Sequence, residues 1–436
     1  MATKAENVTL TRVAAGTPMG ELMRQYWMPA LKSEELVAEG QPVRLMLLSE
    51  KLIAFRDTSG RVGVLDHRCP HRCASLYFGR NEANGIRCVY HGWKYDVDGN
   101  CLDMANVPPA QDFKAKVKAK AYKAAERNGL IWVFMGDQDN VPGLPDIEAT
   151  LVAEGDNNID MFLRECSWLQ ALEGDLDTSH VEFLHGGQRT ATDYPKSDPR
   201  HWGTVHWDPE YAVAETDYGM MYGAYRPADP GSTYWRIAHF MFTFWSNTPS
   251  APFGDQVYAR AWVPLDDTHA MSIRIVWKQG RLNTLAKTMD PDAVLGNLGR
   301  RPNSTDWFGR WRLEANQGND YLIDRGVQRD KTYSGIHGIS EQDQMVTESM
   351  GAITDRSLEH LAPSDQMITA TRRRLIGAVK ALKSRGKVPP GAQNPDGFYQ
   401  ARGGYFVAPD GDDMAALYRR RLEITRAEHL FETAAQ

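Results

Sequence analysis

Two short runs, Cys69-Pro-His71 and Cys88-Val-Tyr-His91, constrain this chain more than any other feature. Each sets a cysteine and a histidine close enough to grip one metal centre, and positions 72–87 between them are typical of two loops that meet at the tip of a β structure. Two thiolates and two imidazoles can hold zinc tetrahedrally, or a [2Fe–2S] cluster with both cysteines on one iron and both histidines on the other. Zinc demands nothing of the surroundings, whereas a cluster expects loops that shield it and donate hydrogen bonds to its sulfurs. Pro70, Arg72, Gly92 and Trp93 suit that role, and the hairpin turn Asp96-Val-Asp-Gly-Asn100 follows at once. Four of the five cysteines (Cys69, Cys73, Cys88, Cys101) lie within this stretch and Cys166 stands apart, a clustering that speaks for metal rather than disulfides.

The surroundings read as β structure. Thr17-Pro18 is a helix-opening pair whose helix stops near Pro29, and the period then changes. Runs at 43–49, 52–56 and 62–65 are short, aliphatic and separated by turns, and 122–125 with 130–135 flank the Asn128-Gly129 turn. Lys114, Lys116, Lys118, Lys120 and Lys123 alternate with apolar residues, which suits a solvated strand face or a patch for an acidic electron donor. Val141-Pro-Gly-Leu-Pro145 is a stiff linker. The expected organisation is a helical segment over 1–40, an all-β domain over 41–145 and a second domain over 146–436.

A second candidate site opens that domain. In Asp175-Leu-Asp177-Thr-Ser179-His180-Val-Glu-Phe-Leu-His185, acidic and hydroxyl residues precede two imidazoles, and Gly186-Gly187 supplies a stop. Iron(II) that binds substrate and oxygen together prefers two histidines and one carboxylate on one face. Histidines five apart sit roughly 140° from each other on a regular helix, so they share a metal only if the helix distorts. The spacing therefore predicts a π-bulge or a frayed turn before Gly186, with Asp177 hydrogen-bonding beside His180. The alternative is two ordinary histidines on an amphipathic helix, one of them capping its end.

Downstream, 161–168, 220–226, 233–245, 256–263 and 271–277 read as strands, the last four forming an antiparallel sheet behind the histidine helix. Arg226 and Arg236 on those strands could grip a carboxylate through their two-pronged guanidinium groups, or simply face solvent. Ser179 could add a hydroxyl contact to substrate, and Phe240, Phe242, Phe244 and Trp245 could wall a pocket or fill a core. Amphipathic helices are expected over 364–386 and 414–431, with loops at Pro389-Pro390 and Gly403-Gly404. Ser340-Glu-Gln-Asp343 reads as a capping box, with Asp343, Glu359 and His360 all possible metal ligands. The net charge of -6 argues against nucleic-acid binding. No run of about 18 apolar residues and no signal-peptide core are present, so no membrane contact and a cytoplasmic location are expected.

Cys-Pro-His-Arg at 69–72 with Cys-Val-Tyr-His-Gly-Trp-Lys-Tyr-Asp at 88–96 resembles the signature of Rieske domains in ring-hydroxylating, non-haem iron oxygenases. Gln170-Ala-Leu-Glu-Gly174 with Asp177-Thr-Ser-His180 and Phe183-Leu-His185 is similar to the mononuclear-iron motif of the same enzymes, in the phthalate and phenoxybenzoate dioxygenase branch. The resemblance implies an α+β catalytic subunit: an N-terminal all-β Rieske domain and a catalytic antiparallel sheet flanked by helices, of helix-grip or START-like form. It implies that Cys69 and Cys88 bind one cluster iron and His71 and His91 the other. It implies Fe(2+) on His180, His185 and Asp343, with Asp177 bridging cluster ligand to iron ligand. Electrons would come from an NAD(P)H-dependent flavin and iron–sulfur reductase, O2 would be inserted into an aromatic, carboxylated substrate, and the assembly would be a homotrimer or hexamer. An aryl ether O-demethylase, or an electron-transfer protein without oxygenase chemistry, are the alternatives.

Overall fold

Short apolar runs punctuated by turns become two antiparallel sheets in the first third of the chain. The computed structural model describes residues 2–186, 191–279 and 299–434. Gly187, expected to help stop the histidine helix, lies outside them. A six-stranded sheet runs in the order Trp27–Lys32, Leu130–Phe134, Ala121–Arg127, Val62–Asp66, Glu50–Arg56 and Val43–Leu47. A smaller four-stranded sheet, Arg80–Glu82, Gly85–Arg87, Trp93–Tyr95 and Cys101–Met104, carries the metal-gripping loops.

The first 40 residues are not a separate helical unit, which corrects the expected boundary. Helices occupy Lys4–Thr11 and Pro18–Met23, but Trp27–Lys32 is an edge strand of the six-stranded sheet. Pro29 decides this locally: it cannot donate within a helix, and it is tolerated at a sheet edge, where the pairing slips between Pro29 and Leu31. The Lys4–Thr11 helix starts on a Thr3/Glu6 capping box and docks on the second domain, where Asn7 Nδ2 donates to the Thr354 carbonyl and Trp168 Nε1 to that of Leu10.

Among the described residues, the second domain is built on eight antiparallel strands. Seven run in the order Asn157–Arg164, Ala270–Trp277, Tyr258–Pro264, Trp245–Asn247, Ser232–Met241, Gly219–Pro227 and Glu210–Thr216, and Gly404–Pro409 pairs with Ser232–Met241. Three expectations change here. The strand expected over 161–168 ends at Arg164, and Trp168 already opens a helix, Trp168–Leu176. The run 233–245 divides in two between Met241 and Trp245. The Gly403-Gly404 loop leads directly into a strand: a Cβ on Gly404 would lie 2.5 Å from Phe253 Cα, so the close approach itself requires glycine.

Helices Trp168–Leu176, Ile339–Ser349 and Gln366–Arg385 lie together on the sheet. Buried Glu173 clamps this layer, accepting from Arg356 Nη2 at 2.8 Å and from Arg372 Nε at 2.6 Å. Gln170 adds donations to the Thr347 and Gly351 carbonyls, so the helix that leads to the histidines is pinned to the one that carries Asp343. Gln366–Arg385 ends at Gly386 in the left-handed conformation, as its stop signal indicates.

Candidate metal centres

The four-stranded sheet ends in twin turns. The Cys73 amide donates to the Cys69 carbonyl and the Gly92 amide to the Cys88 carbonyl, both at 2.9 Å, and Cys73 and Gly92 both take positive φ. Cys73 is thus exposed turn material, the counterpart of Gly92. Cys69 and Cys88 are almost fully buried, and Tyr95 Oη lies 3.4 Å from Cys69 Sγ. Burial pushes the Cys69 thiol above its ordinary range, so a thiolate there calls for a cation. The His71 and His91 rings lie 4.4 Å apart at 71°, His71 stacks on Trp93, and its buried Nδ1 has no hydrogen-bond partner among the described residues.

A single zinc would draw its four donors to within about 4 Å of one another. Among the described residues only His180, His185 and Asp343 offer three or more such donors within 4.8 Å. The Cys69, His71, Cys88 and His91 donors are spread more widely, which suits a two-iron cluster and not one tetrahedral ion.

The second site rests on a distorted helix turn. Trp168–Leu176 ends with Asp177 as an extended C-cap, so the acidic residues close a helix instead of opening one. His180 then begins a π-turn over Val181–His185, closed by the Gly186 amide on the Val181 carbonyl at 2.7 Å. A Cβ on Gly186 would come within 2.3 Å of the Glu182 carbonyl oxygen, so only glycine admits this closure. The π-turn is the expected distortion, and it brings the two Nε2 atoms to 3.1 Å.

Asp343 arrives from Ile339–Ser349. Its Oδ1 lies 3.1 Å from His185 Nε2 and 3.8 Å from His180 Nε2. Three ligands at about 2.1 Å from one metal and at right angles to each other stand about 3 Å apart, so these spacings match a facial two-histidine, one-carboxylate site. Burial works against the Asp343 carboxylate, but the adjacent His185 and His180 hold it far below the ordinary carboxylate range. Burial also opposes a charged His180, and the Asp177 hydrogen bond and the Asp343 charge override it, so its pKa rises. The expected Ser340 capping box does not form; Gly338 is the N-cap, and Asp343 is free to face inward. Glu359, once an alternative ligand, pairs with Arg372.

Three neighbours aim the donors. Gln342 Oε1 accepts from His185 Nδ1 at 2.7 Å while its Nε2 donates to the Ile336 carbonyl, which makes Nε2 the His185 nitrogen that faces the site. Asp177 Oδ2 lies 3.5 Å from His180 Nδ1, and its Oδ1 accepts from the Ser179 amide and hydroxyl. Asp175 accepts from Arg260 at 2.6 Å and from Trp262 Nε1 at 2.7 Å, fixing the helix end to the sheet. Gln342 and the Asp175 contacts carry no periodic or spacing signal; only the sequence proximity of Gln342 to Asp343 hinted at a role.

These residues border a cavity of about 260 Å³. Arg236 lines it, with its Nε donating to Thr178 Oγ1 at 2.7 Å. Two expectations about substrate contacts do not hold. Arg226 is fully buried and pairs with Glu182 at 2.8 Å, because the π-turn closes over that end of its strand. Ser179 spends its hydroxyl on Asp177 and does not line the cavity. Phe240, Phe242, Phe244 and Trp245 are core residues and are not in the cavity wall.

The Rieske [2Fe-2S] domain model matches residues 26–118, and the LigXa C-terminal-domain-like model matches 133–396. The 3-chlorobenzoate-3,4-dioxygenase oxygenase subunit of Comamonas testosteroni is 46% identical over 97% of this chain and 99% of its own length. The chain is a Rieske non-haem iron oxygenase. A second relative, the phthalate 4,5-dioxygenase oxygenase subunit of Pseudomonas putida, is 35% identical over 88% of each chain. Dicamba monooxygenase bound to dicamba shares the fold at 18% identity, with a TM-score of 0.55 over 83% of this chain and 98% of that one. The oxygenase is therefore an oxidoreductase, and it carries a Rieske cluster and a mononuclear iron. Among the described residues, no helix of the oxygenase is long and apolar enough to cross a membrane.

Proposed function

We propose that the chain takes electrons from an NAD(P)H-dependent flavin and iron–sulfur reductase and uses O2 to oxygenate an aromatic carboxylate. One observation carries the substrate class. Four arginines line the cavity; Arg200 pairs with Asp198, Arg260 with Asp175 and Arg274 with Asp160, while Arg236 has no carboxylate partner among the described residues. A half-buried guanidinium with no carboxylate in salt-bridge reach among the described residues is suited to a carboxylate brought by the substrate. The names of the two relatives above, a chlorobenzoate and a phthalate dioxygenase, agree with an aromatic acid.

In this reading Cys69 and Cys88 hold one cluster iron, His71 and His91 the other, and His180, His185 and Asp343 hold the mononuclear iron. When bound, the cluster supplies electrons singly and the mononuclear iron supplies oxygen activation. The chain's own groups do the positioning. Thr178 fixes Arg236 Nε and turns the remaining guanidinium edge toward the cavity, two residues from His180, so the grip on the acid and the grip on the metal share one segment. Gln342 keeps the His185 proton on Nδ1.

Asp177, 24% exposed at its side chain and beside His180, is the bridging acid through which a neighbouring subunit's cluster reaches this iron, in a homotrimer or a hexamer of two trimers. The protein acts in the cytoplasm. The test is a reductase-coupled assay with isotopically labelled O2 over aromatic acids and neutral aryl ethers. Label should enter an acid, and Arg236→Gln should raise KM for acids by about 10- to 100-fold, the loss of a charged hydrogen bond. Preferential labelling of neutral compounds, or an unchanged KM, would overturn the assignment.

A further inference from the structure

Arg236 has one cross-strand neighbour able to share its ligand. On one side of its strand it pairs with Ala224 of Gly219–Pro227, which offers no polar side chain; on the other it pairs with Tyr405 of Gly404–Pro409. Residues paired in this way project from the same face of the sheet, with Cβ atoms about 5 Å apart. Tyr405 lines the same cavity as Arg236 and is 5% exposed. Its ring clusters with Trp202 and Tyr234, so packing fixes where the phenol stands.

The Tyr405 hydroxyl is uncommitted. The Tyr222, Tyr234 and Tyr258 hydroxyl oxygens are sealed from solvent, whereas that of Tyr405 is not among the sealed oxygens and has no hydrogen-bond partner among the described residues. It therefore opens to the cavity that Tyr405 lines. Burial, opposed by the positive charge of Arg200 and Arg236, pushes the phenol up to about 12, so at neutral pH it is protonated and donates. A carboxylate only accepts, and its two oxygens offer about four lone-pair sites. Arg236 spends Nε on Thr178 and keeps its two Nη groups for the cavity, which leaves room on the same carboxylate for a donor from the neighbouring strand.

We propose that Tyr405 is a specificity-determining residue whose hydroxyl donates to the same substrate carboxylate that Arg236 grips. This rests on the carboxylate reading above and extends it: a charged donor and a neutral donor on paired strands converge on one acid group. Such a site admits an acceptor-only group and disfavours the carboxamide of the same shape, whose NH2 sets a donor against a donor.

The experiment is calorimetric titration of the anaerobic holoenzyme with benzoate, 3-chlorobenzoate and the two matching carboxamides. Wild type should bind each acid at least about tenfold more tightly than its amide. Tyr405→Phe should weaken both acids by about tenfold, the loss of one hydrogen bond to a charged group, and should weaken the amides less, so the acid-to-amide ratio falls. Because the ring stays and the hydroxyl has no partner within the described protein, Tyr405→Phe should keep the unfolding midpoint, cluster absorption and iron content of wild type. A Tyr405 that only fills space would leave the ratio where it is, which overturns the proposal. If Arg236→Gln weakens the acids and Tyr405→Phe does not, the carboxylate reading stands and the Tyr405 assignment falls. If Tyr405→Phe weakens the acids while Arg236→Gln leaves them intact, the shared grip is overturned together with the role of Arg236. If neither variant changes acid binding, or no acid binds wild type, both fall.

Discussion

The two metal-gripping regions are built on opposite principles. At the Rieske tip, all four candidate ligands come from 23 consecutive positions, 69–91, and each pair is shaped by a turn that closes on its own backbone. At the mononuclear site, His180 and His185 ride a π-turn, while Asp343 and the Gln342 that aims His185 come from a helix more than 150 positions away. The first region is a local device that needs a small sheet beneath it. The second exists only when Trp168–Leu176 and Ile339–Ser349 are packed together, as the Gln170 donation to the Thr347 carbonyl holds them. A local site can be read as a motif; a site assembled across the fold can be read only in part, and it is the one whose geometry distant residues can tune.

The sharpest way to break this contrast is reciprocal. His185→Ala should abolish turnover and remove the mononuclear iron while the cluster's visible absorption is unchanged. Cys88→Ser should abolish the cluster absorption while metal analysis still finds iron at His180, His185 and Asp343. Loss of both metals from either variant would show that the regions are not independent.

A smaller effect sharpens the same contrast. Gln342 touches His185 and holds its Nδ1 proton, and removal of such an orienting partner typically costs 10- to 100-fold in metal affinity. Gln342→Leu should therefore weaken iron binding by about that factor, measured by competition with a chelator, with the cluster spectrum unmoved. At the Rieske tip the outer contacts are Tyr95 Oη beside Cys69 Sγ and Trp93 stacked on His71, while backbone amides shape the loops.

The same division governs what the sequence discloses. The cysteine and histidine pairs and the strand runs around them are local patterns, and a π-bulge or frayed turn between His180 and His185 follows from their spacing once the two share a metal. Asp343 needed a family resemblance, since Ser340 and Asp343 form a plausible capping box until Gly338 is seen to cap the helix. Arg226 and Arg236 looked equivalent on neighbouring strands. Only the position of Glu182, set by the π-turn, consigns one to a buried pair and leaves the other for the cavity. Trp27–Lys32 was hidden because its partner, Leu130–Phe134, lies about 100 positions on. Strand partners, ion-pair partners and cavity walls are long-range facts, and periodicity does not encode them.

The smallest expected effect tests whether the second region alone is sensitive to acid. His239 is fully buried on the strand that carries Arg236; Tyr218 Oη lies 3.0 Å from its Nδ1, and its Nε2 is 3.1 Å from the Arg402 carbonyl, close to Tyr405 in the cavity wall. Burial holds its pKa down at about 3. The folded value lies below the unfolded value of about 6.5, so the stabilising form is the neutral one. That stability is complete above about 6.5 and drains away as the pH falls toward 3. Between pH 7.5 and 5.5 the linkage costs the fold about 1.4 kcal/mol. His239→Gln keeps an acceptor and a donor but cannot titrate, so its denaturant unfolding should lose about 1.4 kcal/mol less than wild type over that interval. An equal loss in both proteins would place the acid sensitivity elsewhere. A cluster absorption that persists at pH 5.5 while catalytic-domain tryptophan fluorescence reports loosening would show that the two regions fail separately, as their construction requires.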